Sequence, residues 1–249
     1  GALPAAAPRA TLTVAFDSPK PGHLLEHGPT VCGTLVIADI GLGAFRAGGL
    51  ARLTAAWPRF DIADPRRRAD DGRGAWLRKQ GSGGHKYDHG AALVVAGGPG
   101  AGGAARLAAR AALRVGAGLV TLAPPAAAMA EHALPPDALM RRAVDDADAL
   151  AKLASDRRGM ALCIGPGCGV TRAAALLEAV RAAARPAVLD ADALTALAKA
   201  PGALPPDCVL TPHGGEFARL FPDLADQLSI DTPSRPKPAI LREAARRIG

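Results

Sequence analysis

Two glycine-rich stretches in this sequence have the composition of anion-binding loops. The first, GGPGAGG at 97–103, follows the apolar run 93–96, and the second, IGPGCGVTR at 164–172, closes another apolar run. A strand, a glycine loop and a helix N-terminus together present backbone N–H groups to an anion. If both runs are strands of one open sheet, the two loops line one crevice, where ligands of such sheets bind. The alternative is a glycine turn needed only for tight packing.

Gly98, Gly100 and Gly103 of the first stretch match the spacing G-x-G-x-x-G of dinucleotide-binding loops. A nicotinamide-dependent dehydrogenase also needs an acidic residue about 20 positions further on, which holds the ribose hydroxyls. No Asp or Glu occurs between Asp88 and Glu131, so the sequence argues against that class of enzyme. The chain also contains no GxxxxGK(S/T) motif, which excludes a P-loop nucleoside triphosphatase.

Carboxylate and imidazole side chains follow two further apolar runs. Asp190 and Asp192 lie in AVLDADAL, and His213 and Glu216 lie in VLTPHGGEFARLF. A carboxylate at the carboxyl end of a strand can hold Mg²⁺ or a ribose, although capping of the next helix would also account for Asp192. Three positions apart at a helix start, His213 and Glu216 can point the same way. They could donate a hydrogen bond to a sugar or phosphate and organise a metal-bound water. The alternative for His213 is a surface histidine that caps the helix.

The alternation of short β-type runs with alanine-rich segments after Gly90 predicts the elements that position these residues. Strands are expected near 92–96, 118–123, 160–164, 186–190 and 207–211. Helices are expected near 103–115, 145–155, 171–184, 192–199, 214–220 and 238–248. This order is typical of an α/β fold with a central, mainly parallel sheet and helices on both faces.

Residues 1–83 do not share this pattern. We expect the strand-like runs 12–16 and 33–37 to be joined by a Pro-Gly turn, whereas 44–83 is charged and glycine-containing, as in a linker. Two strands cannot bury a core alone. The N-terminal segment is therefore interpreted as a short β remnant of another domain. Because no strand follows the final helix, we expect the sequence to be truncated at both ends.

Composition narrows the classes of partner. The net charge of +7 is mostly due to arginine, but the chain has only two Trp, one Tyr and five Phe, so platforms for stacking nucleic-acid bases are missing. The four cysteines form no CxxC pair, which argues against a zinc site. No long uncharged apolar run or signal peptide is visible. We expect a cytoplasmic protein with no nucleic-acid or membrane partner.

Four stretches, taken in order, resemble a known family. HKYDHGAALVVAGGPGAGGAARLAARAALRVGAGLV, GPGCG, VLDADAL and TPHGGEFARL are similar to the ADP- or ATP-dependent NAD(P)H-hydrate dehydratases, a branch of the ribokinase-like superfamily, over about residues 84–222. The earlier stretch SPKPGHLLEHGPTVCGTLVIADIGL resembles the end of the NAD(P)H-hydrate epimerase domain, which is fused upstream in bacterial bifunctional enzymes. The resemblance implies an epimerase remnant at 1–43, a linker at 44–83 and a C-terminally truncated dehydratase domain at 84–249.

The resemblance also implies a three-layer ribokinase-like fold, incomplete here, and a repair reaction. The hydroxyl of (S)-NAD(P)H-hydrate is phosphorylated by ADP or ATP with Mg²⁺, and phosphate then leaves to restore NAD(P)H. Carried over residue by residue, the hydrate-contacting positions are Ala104, Gly167 and His213, and the acidic residue near Mg²⁺ and phosphate is Glu216. For the intact protein it implies an epimerase activity, and we expect a homo-oligomer.

Two functional elements of the family are missing from this sequence. The family's Lys-Gly strand and its Gly-Ser-Gly-Asp loop, whose aspartate deprotonates the acceptor hydroxyl, are not in this chain, and GSGG at 81–84 lacks the aspartate. That catalytic Asp is expected to lie beyond Gly249, so we expect no catalytic residue within this chain and no turnover by it. Two other interpretations stay open: a ribokinase-like kinase for a small alcohol such as a vitamin precursor, and a non-catalytic nucleotide-binding module.

Overall fold

The chain divides into two compact units, Gly1–Trp76 and Leu77–Gly249. The computed structural model describes residues 8–17, 19–24, 27–38, 40–42, 85–133, 135–155, 160–228, 235 and 237–248. The expected linker at 44–83, with its GSGG sequence, lies outside the described residues.

The first unit contains a pair of parallel strands. Its described elements are β1 (Leu12–Phe16), α1 (Pro21–Leu24), α2 (Gly28–Val31) and β2 (Thr34–Ala38). β1 and β2 pair from Leu12 opposite Thr34 to Phe16 opposite Ala38. The expectation that a Pro-Gly turn joins them is wrong. Parallel strands require a crossover connection, and here it consists of α1, which Pro21 begins, and α2.

The second unit contains a six-stranded parallel sheet among its described residues. The strands are β3 (Ala91–Val95), β4 (Leu119–Ala123), β5 (Met140–Arg141), β6 (Met160–Ile164), β7 (Ala187–Leu189) and β8 (Cys208–Leu210). They lie in the order β5-β4-β3-β6-β7-β8, and all neighbouring pairs are parallel. The five expected strands are confirmed to within one residue at each end. β5 was not predicted, because two residues are too few to show a periodicity.

Seven α-helices accompany the sheet among the described residues. They are α3 (Gly103–Val115), α4 (Ala147–Ala154), α5 (Val170–Ala183), α6 (Asp192–Lys199), α7 (Gly214–Leu220), α8 (Pro222–Asp226) and α9 (Lys237–Ile248). Two 3₁₀ segments lie at Lys86–His89 and Ala126–His132. The six expected helices are confirmed to within two residues, and the 3₁₀ segments and α8 were not predicted.

The helices cover both faces of the sheet, which gives three layers. Leu93 and Val95 of β3 pack into a cluster with side chains of α4, α5 and α6. Val94 and Ala96 point to the other face and pack with Ala105 and other residues of α3. Strands buried on both faces read as continuous apolar runs, as this stretch does. The expected three-layer α/β arrangement is therefore confirmed.

A separate cluster joins the last three helices. Phe217 of α7, Phe221 between the two helices and Leu224 of α8 pack with Ile240 and Ala244 of α9. The rings of Phe217 and Phe221 lie 5.3 Å apart between centroids, a favourable aromatic separation. The helices of the described residues include none with the length and apolar character of a membrane span; this is a separate finding from the cluster.

Candidate functional site

The sequence-predicted motifs meet at one edge of the sheet. The first glycine loop (97–102) follows β3, and the second glycine loop (165–169) follows β6. Asp190 follows β7, and the Thr211–His213 segment follows β8. Since β3, β6, β7 and β8 are consecutive strands and all are parallel, the four loops lie side by side at their carboxyl ends. The expected position of both glycine loops at the carboxyl ends of neighbouring strands is confirmed. The four loops together are called the four-loop edge below.

The two glycine loops are in direct contact. A side chain on Gly97 would overlap the carbonyl oxygen of Gly167, and a side chain on Gly167 would overlap the carbonyl oxygen of Ala101. Gly167 also has a φ of +68°, which side chains rarely adopt. Within the described residues, a Cβ at Gly98 or Gly100 would meet no atom within 4 Å. The packing interpretation thus explains Gly97 and Gly167, while Gly98 and Gly100 face open space.

Arg172 connects the helix that follows the second glycine loop to the residue that precedes the first. Located in the first turn of α5, it donates from Nη1 to the carbonyl oxygen of Ala96 at 2.8 Å and from Nη2 to that of Val144 at 2.6 Å. Ala96 lies 76 positions away in the chain. The sequence carries no local signal for these bonds, so Arg172 was not singled out as a site residue.

Asp192 supports the second glycine loop instead of capping its own helix. The N-cap position of α6 is Ala191, which makes no side-chain capping bond. Oδ2 of Asp192 accepts from the backbone N–H of Gly169, the N-cap of α5, at 2.8 Å. The capping alternative for Asp192 is therefore wrong. A carboxylate is stabilised at a helix N-terminus, and the neighbouring α5 supplies one within reach.

His213 and Glu216 form a capping box at the start of α7. Nδ1 of His213 accepts from the Gly215 N–H at 3.0 Å, and Oε2 of Glu216 accepts from the His213 N–H at 2.9 Å. Nε2 of His213 lies 3.4 Å from Oε1 of Glu216. The imidazole is 70% exposed, whereas the Glu216 side chain is 8% exposed. The helix-capping interpretation of His213 is confirmed, and the exposed ring remains open to a ligand.

The four site residues expected from the resemblance fall into two pairs. Ala104 is exposed at the second position of α3, the helix that follows the first glycine loop. Gly167 lies in the second glycine loop, which contacts the first. His213 and Glu216 follow β8, two strands beyond β6 and so roughly 10 Å further along the edge. Ala104 offers no polar side chain, but a backbone N–H in the first turn of a helix has no intrahelical partner.

A cation at this edge could use Glu216 together with oxygen atoms of a bound ligand. In the part of the chain that the structure describes, no group of three or more His, Cys, Asp or Glu side chains could hold a metal ion. Mg²⁺ commonly uses one or two carboxylates together with substrate phosphates and water. Glu216 is a carboxylate at a strand's carboxyl end and fits that limited role.

The 3₁₀ segment Ala126–His132 brings two residues to the first glycine loop that the sequence did not indicate. Both oxygens of Glu131 accept from the backbone N–H of Gly100, at 3.0 and 2.9 Å. His132 is 1% exposed, and its ring lies against Gly102, where a Cβ would overlap it. Neither ring nitrogen has a hydrogen-bond partner among the described residues. Burial lowers the pKa of His132, and nearby Arg106 lowers it further.

The two cysteines nearest the second glycine loop are poor nucleophiles. Burial raises the pKa of the Cys163 thiol to about 11, and the neighbouring Asp190 carboxylate adds to that effect. Burial also raises the pKa of Cys168. Since the thiolate is the reactive form, a raised pKa keeps these two thiols in their less reactive, protonated form. All four cysteines are free thiols.

Comparison with known proteins adds an independent line of evidence. The family model described as NAD(P)H-hydrate dehydratase matches residues 92–238. A bifunctional NAD(P)H-hydrate repair enzyme of Moorella thermoacetica is 38% identical over 242 residues, and the match covers 90% of this chain. The chain spans only 42% of the length of that relative.

Two solved structures resemble the fold. One is an ADP/ATP-dependent NAD(P)H-hydrate dehydratase from Bacillus subtilis, co-crystallised with ATP/Mg²⁺, with a TM-score of 0.53 and 25% identity over 68% of this chain and 59% of that one. The other is a ribokinase-like superfamily protein from Enterococcus faecalis, with a TM-score of 0.56 and 20% identity over 71% of this chain and 62% of that one. At that identity, the second likeness concerns the fold alone.

Proposed function

Because this chain belongs to the NAD(P)H-hydrate dehydratase family and shares the ribokinase-like fold, we propose that its four-loop edge binds NAD(P)H-hydrate for repair. The observation that carries this proposal is the position of the four motifs at the carboxyl ends of four consecutive parallel strands. In the proposed reaction, ADP or ATP phosphorylates the hydroxyl that hydration added to the nicotinamide ring. Phosphate then leaves from one ring carbon and a proton from the next, which re-forms the ring double bond of NAD(P)H without any oxidation or reduction.

The two contacting glycine loops are proposed to hold the dinucleotide. At the start of α3, the exposed Ala104 combines an unpaired helix N–H with a small side chain, so a ligand can approach the backbone closely. On the facing loop, Gly167 has no side chain, so a ligand can approach its backbone closely as well. Together they give a polar surface suited to an anionic ligand, and this supports their assignment as substrate-binding residues.

His213 and Glu216 are proposed to act at the phosphoryl end of the site. Since Nδ1 of His213 accepts a hydrogen bond, the neutral ring carries its proton on Nε2, which can donate to a hydroxyl or phosphate oxygen. Glu216 is held in place by the His213 N–H. Mg²⁺, bound through Glu216 and phosphate oxygens, would neutralise charge on the transferred phosphate. The Bacillus relative was crystallised with ATP/Mg²⁺, which supports this choice of nucleotide and metal.

The longer protein is proposed to be bifunctional. The match to the Moorella enzyme covers 90% of the chain, more than residues 92–249 can supply, so it includes residues upstream of the dehydratase match. This supports the assignment of residues 1–43 to the end of an epimerase domain and of 84–249 to the dehydratase domain. The linker at 44–83, the cytoplasmic location and a homo-oligomeric state stay predictions.

Calorimetric titration of the purified chain tests the proposed function through binding alone. We expect (S)-NADH-hydrate to bind more tightly than intact NADH, because only the hydrate has the acceptor hydroxyl. Equal affinity for both would contradict recognition of the hydrated ring. Thermal-shift measurements with hydroxymethylpyrimidine and hydroxyethylthiazole serve as the comparison, and stabilisation by these small alcohols alone would instead indicate a vitamin-precursor kinase.

A further inference from the structure

A cavity lies at the edge of the sheet opposite the four-loop edge. It has a volume of about 320 Å³ and is lined by Ala91, Leu119 and Met160, which are the first residues of β3, β4 and β6. Lys152 and Leu153, near the end of α4, also line it. Because these parallel strands begin at the same edge, the cavity lies at their amino ends, and it is called the amino-edge cavity below. Its volume falls within the range of small-molecule sites, about 300–1,000 Å³.

One face of the sheet gives the amino-edge cavity an apolar wall. In the strand register, Ala91 lies opposite both Leu119 and Met160, and Thr121 lies opposite Met140 of β5. Leu119 and Thr121 are two positions apart in β4, so their side chains point to the same face of the sheet. Methionine side chains adapt to the shape of an apolar partner. The wall therefore suits an aliphatic group.

Thr121 is a buried polar residue in this wall. It is only 7% exposed, and it lines the cavity. Within the part of the chain that the structure describes, the Thr121 hydroxyl makes no hydrogen bond. A buried hydroxyl without a partner costs free energy. A ligand that brought a hydrogen-bond acceptor into the cavity would remove that cost, so this residue points to a bound molecule.

Two cationic side chains, Arg142 and Lys152, also line the amino-edge cavity. Both are exposed, and neither forms an ion pair among the described residues. Nη1 of Arg142 donates to the carbonyl oxygen of Arg141 at 3.2 Å, which leaves most of the guanidinium N–H donors available to a ligand. The described lining residues include no Asp or Glu. The cavity is therefore suited to an anion.

The end of α4 favours a carboxylate over a phosphate in this cavity. α4 ends at Ala154, directly after Lys152 and Leu153. The carboxyl end of a helix carries a partial negative charge of about −0.5, whereas phosphate sites use the amino ends of helices. A carboxylate carries a single negative charge, and its planar shape allows a bidentate pair with a guanidinium. Arg142 and Lys152 together outweigh the partial charge of the helix end and can hold such a monoanion.

We propose that the amino-edge cavity binds an aliphatic carboxylate. Arg142 and Lys152 hold the carboxylate, and the Thr121 hydroxyl donates a hydrogen bond to it. The alkyl chain lies along the apolar wall, against Leu119 and Met160. This site shares no residue with the four-loop edge, so it is independent of the proposed repair function.

Titration calorimetry of the full chain with octanoate and octanamide tests the proposal. The two probes have alkyl chains of the same length, but only octanoate carries a negative charge. We expect octanoate to bind at a single site per chain and about 10-fold or more tighter than octanamide, as for a hydrogen bond to a charged group. Equal affinities would contradict recognition by the two cations.

Arg142→Met tests the contribution of the guanidinium. We expect its affinity for octanoate to fall about 10-fold, while its affinity for octanamide stays the same. Arg114→Met is the matched control, because it removes the same charge at an exposed position on α3. Its affinity for octanoate should equal that of the unmodified chain. A fall of the same size in both variants would show that octanoate responds only to the net positive charge, and it would overturn the site.

Thr121→Val tests the hydroxyl with a side chain of nearly the same shape. Without ligand, we expect this variant to be at least as stable as the unmodified chain, because a buried polar group without a partner has been removed. Its affinity for octanoate should nevertheless fall about 2-fold to 10-fold. Unchanged affinity would overturn the proposed contact between the hydroxyl and the carboxylate.

Ala91→Leu tests the position of the ligand. The larger side chain fills part of the cavity and leaves every charge in place, so binding of octanoate should be lost. Urea denaturation shows whether the variant is folded, and if it is not, Arg142→Met and its control decide. Octanoate binding that persists in folded Ala91→Leu, or its absence in the unmodified chain, would overturn the proposal. These titrations contain no hydrate, so their outcome does not depend on the proposed function.

Discussion

The carbonyl oxygen of Gly167 occupies the space that a side chain on Gly97 would need. Gly97 follows β3 and Gly167 follows β6, so this contact joins the two glycine loops across neighbouring strands. Both partners in the contact are backbone, and backbone cannot move aside as the end of a flexible side chain can. The four-loop edge therefore depends on the absence of a Cβ at this position.

Replacing Gly97 by alanine should separate the two loops. We expect Gly97→Ala to lower the free energy of unfolding by about 1–3 kcal/mol, the usual cost of overpacking. Gly98→Ala is the matched control, because a Cβ there meets no atom within 4 Å among the described residues. Its effect should stay within about 0.5 kcal/mol. Chemical denaturation of both variants measures the difference, and equal stabilities would contradict the loop contact.

A bulky side chain at the start of α3 should block the ligand. We expect Ala104→Trp to weaken binding of NADH-hydrate about 10-fold or more, equivalent to about 1.4 kcal/mol, because the indole would cover the exposed helix N–H groups. Leu107→Trp is the control, since Leu107 is 69% exposed on the same helix and lies outside the proposed site. Titration calorimetry measures the affinity of each variant for NADH-hydrate. Unchanged affinity in Ala104→Trp would show that Ala104 does not contact the ligand.

The sequence predicted the elements of this site better than the contacts between them. Strands buried on both faces leave uninterrupted apolar runs, and glycine loops follow them directly, so β3, β6 and the two loops could be located from local patterns. The contacts of Glu131 with Gly100 and of Arg172 with Ala96 depend on which strands are neighbours. That order is a property of the whole sheet, and no local spacing encodes it.

The same limit applies to helix caps. Asp192 stands one position inside α6, where a local pattern indicates a cap for that helix, yet it accepts from Gly169 at the start of α5. The alternative given for His213, a helix cap, could be inferred from the sequence because both of its partners, Gly215 and Glu216, are within three positions. Local partners are predictable from spacing, whereas a partner on the next loop is not.

The buried imidazole of His132 should make stability depend on pH. Burial and the nearby Arg106 cation lower its pKa in the folded chain, while the unfolded chain has a value of about 6.5. Above about pH 6.5, His132 is neutral in both the folded and the unfolded chain, so protonation of this group costs no stability there. As the pH falls below that value, the unfolded state binds the proton first, and stability is lost.

Denaturation from about pH 7.5 to about pH 5 tests this expectation with the His132→Gln variant. The loss of stability on acidification should be smaller in His132→Gln than in the unmodified chain, whatever its starting stability. His89→Gln, which changes a histidine that is not buried, should keep the original pH dependence. Parallel curves for His132→Gln and the unmodified chain would show that this imidazole does not stay neutral in the fold.

Loss of the Arg172 guanidinium should lower the free energy of unfolding more than loss of any exposed arginine side chain. Arg172→Met removes both bonds to the carbonyl oxygens of Ala96 and Val144 while keeping much of the side-chain volume. Since hydrogen bonds to charged groups contribute about 1.5–3 kcal/mol each, and Arg172 is only half-buried, we expect a loss of about 2–3 kcal/mol in unfolding free energy.

The matched control for this prediction is Arg114→Met, at an exposed position in the last turn of α3. Its effect on stability should stay within about 0.5 kcal/mol. If Arg172 joins β3 to the second glycine loop, Arg172→Met should also weaken binding of NADH-hydrate, although the side chain touches no proposed substrate contact. If Arg172→Met lost stability but bound the hydrate normally, the loops would keep their relative positions without Arg172. Its role would then be to stabilise the fold and not to position the site.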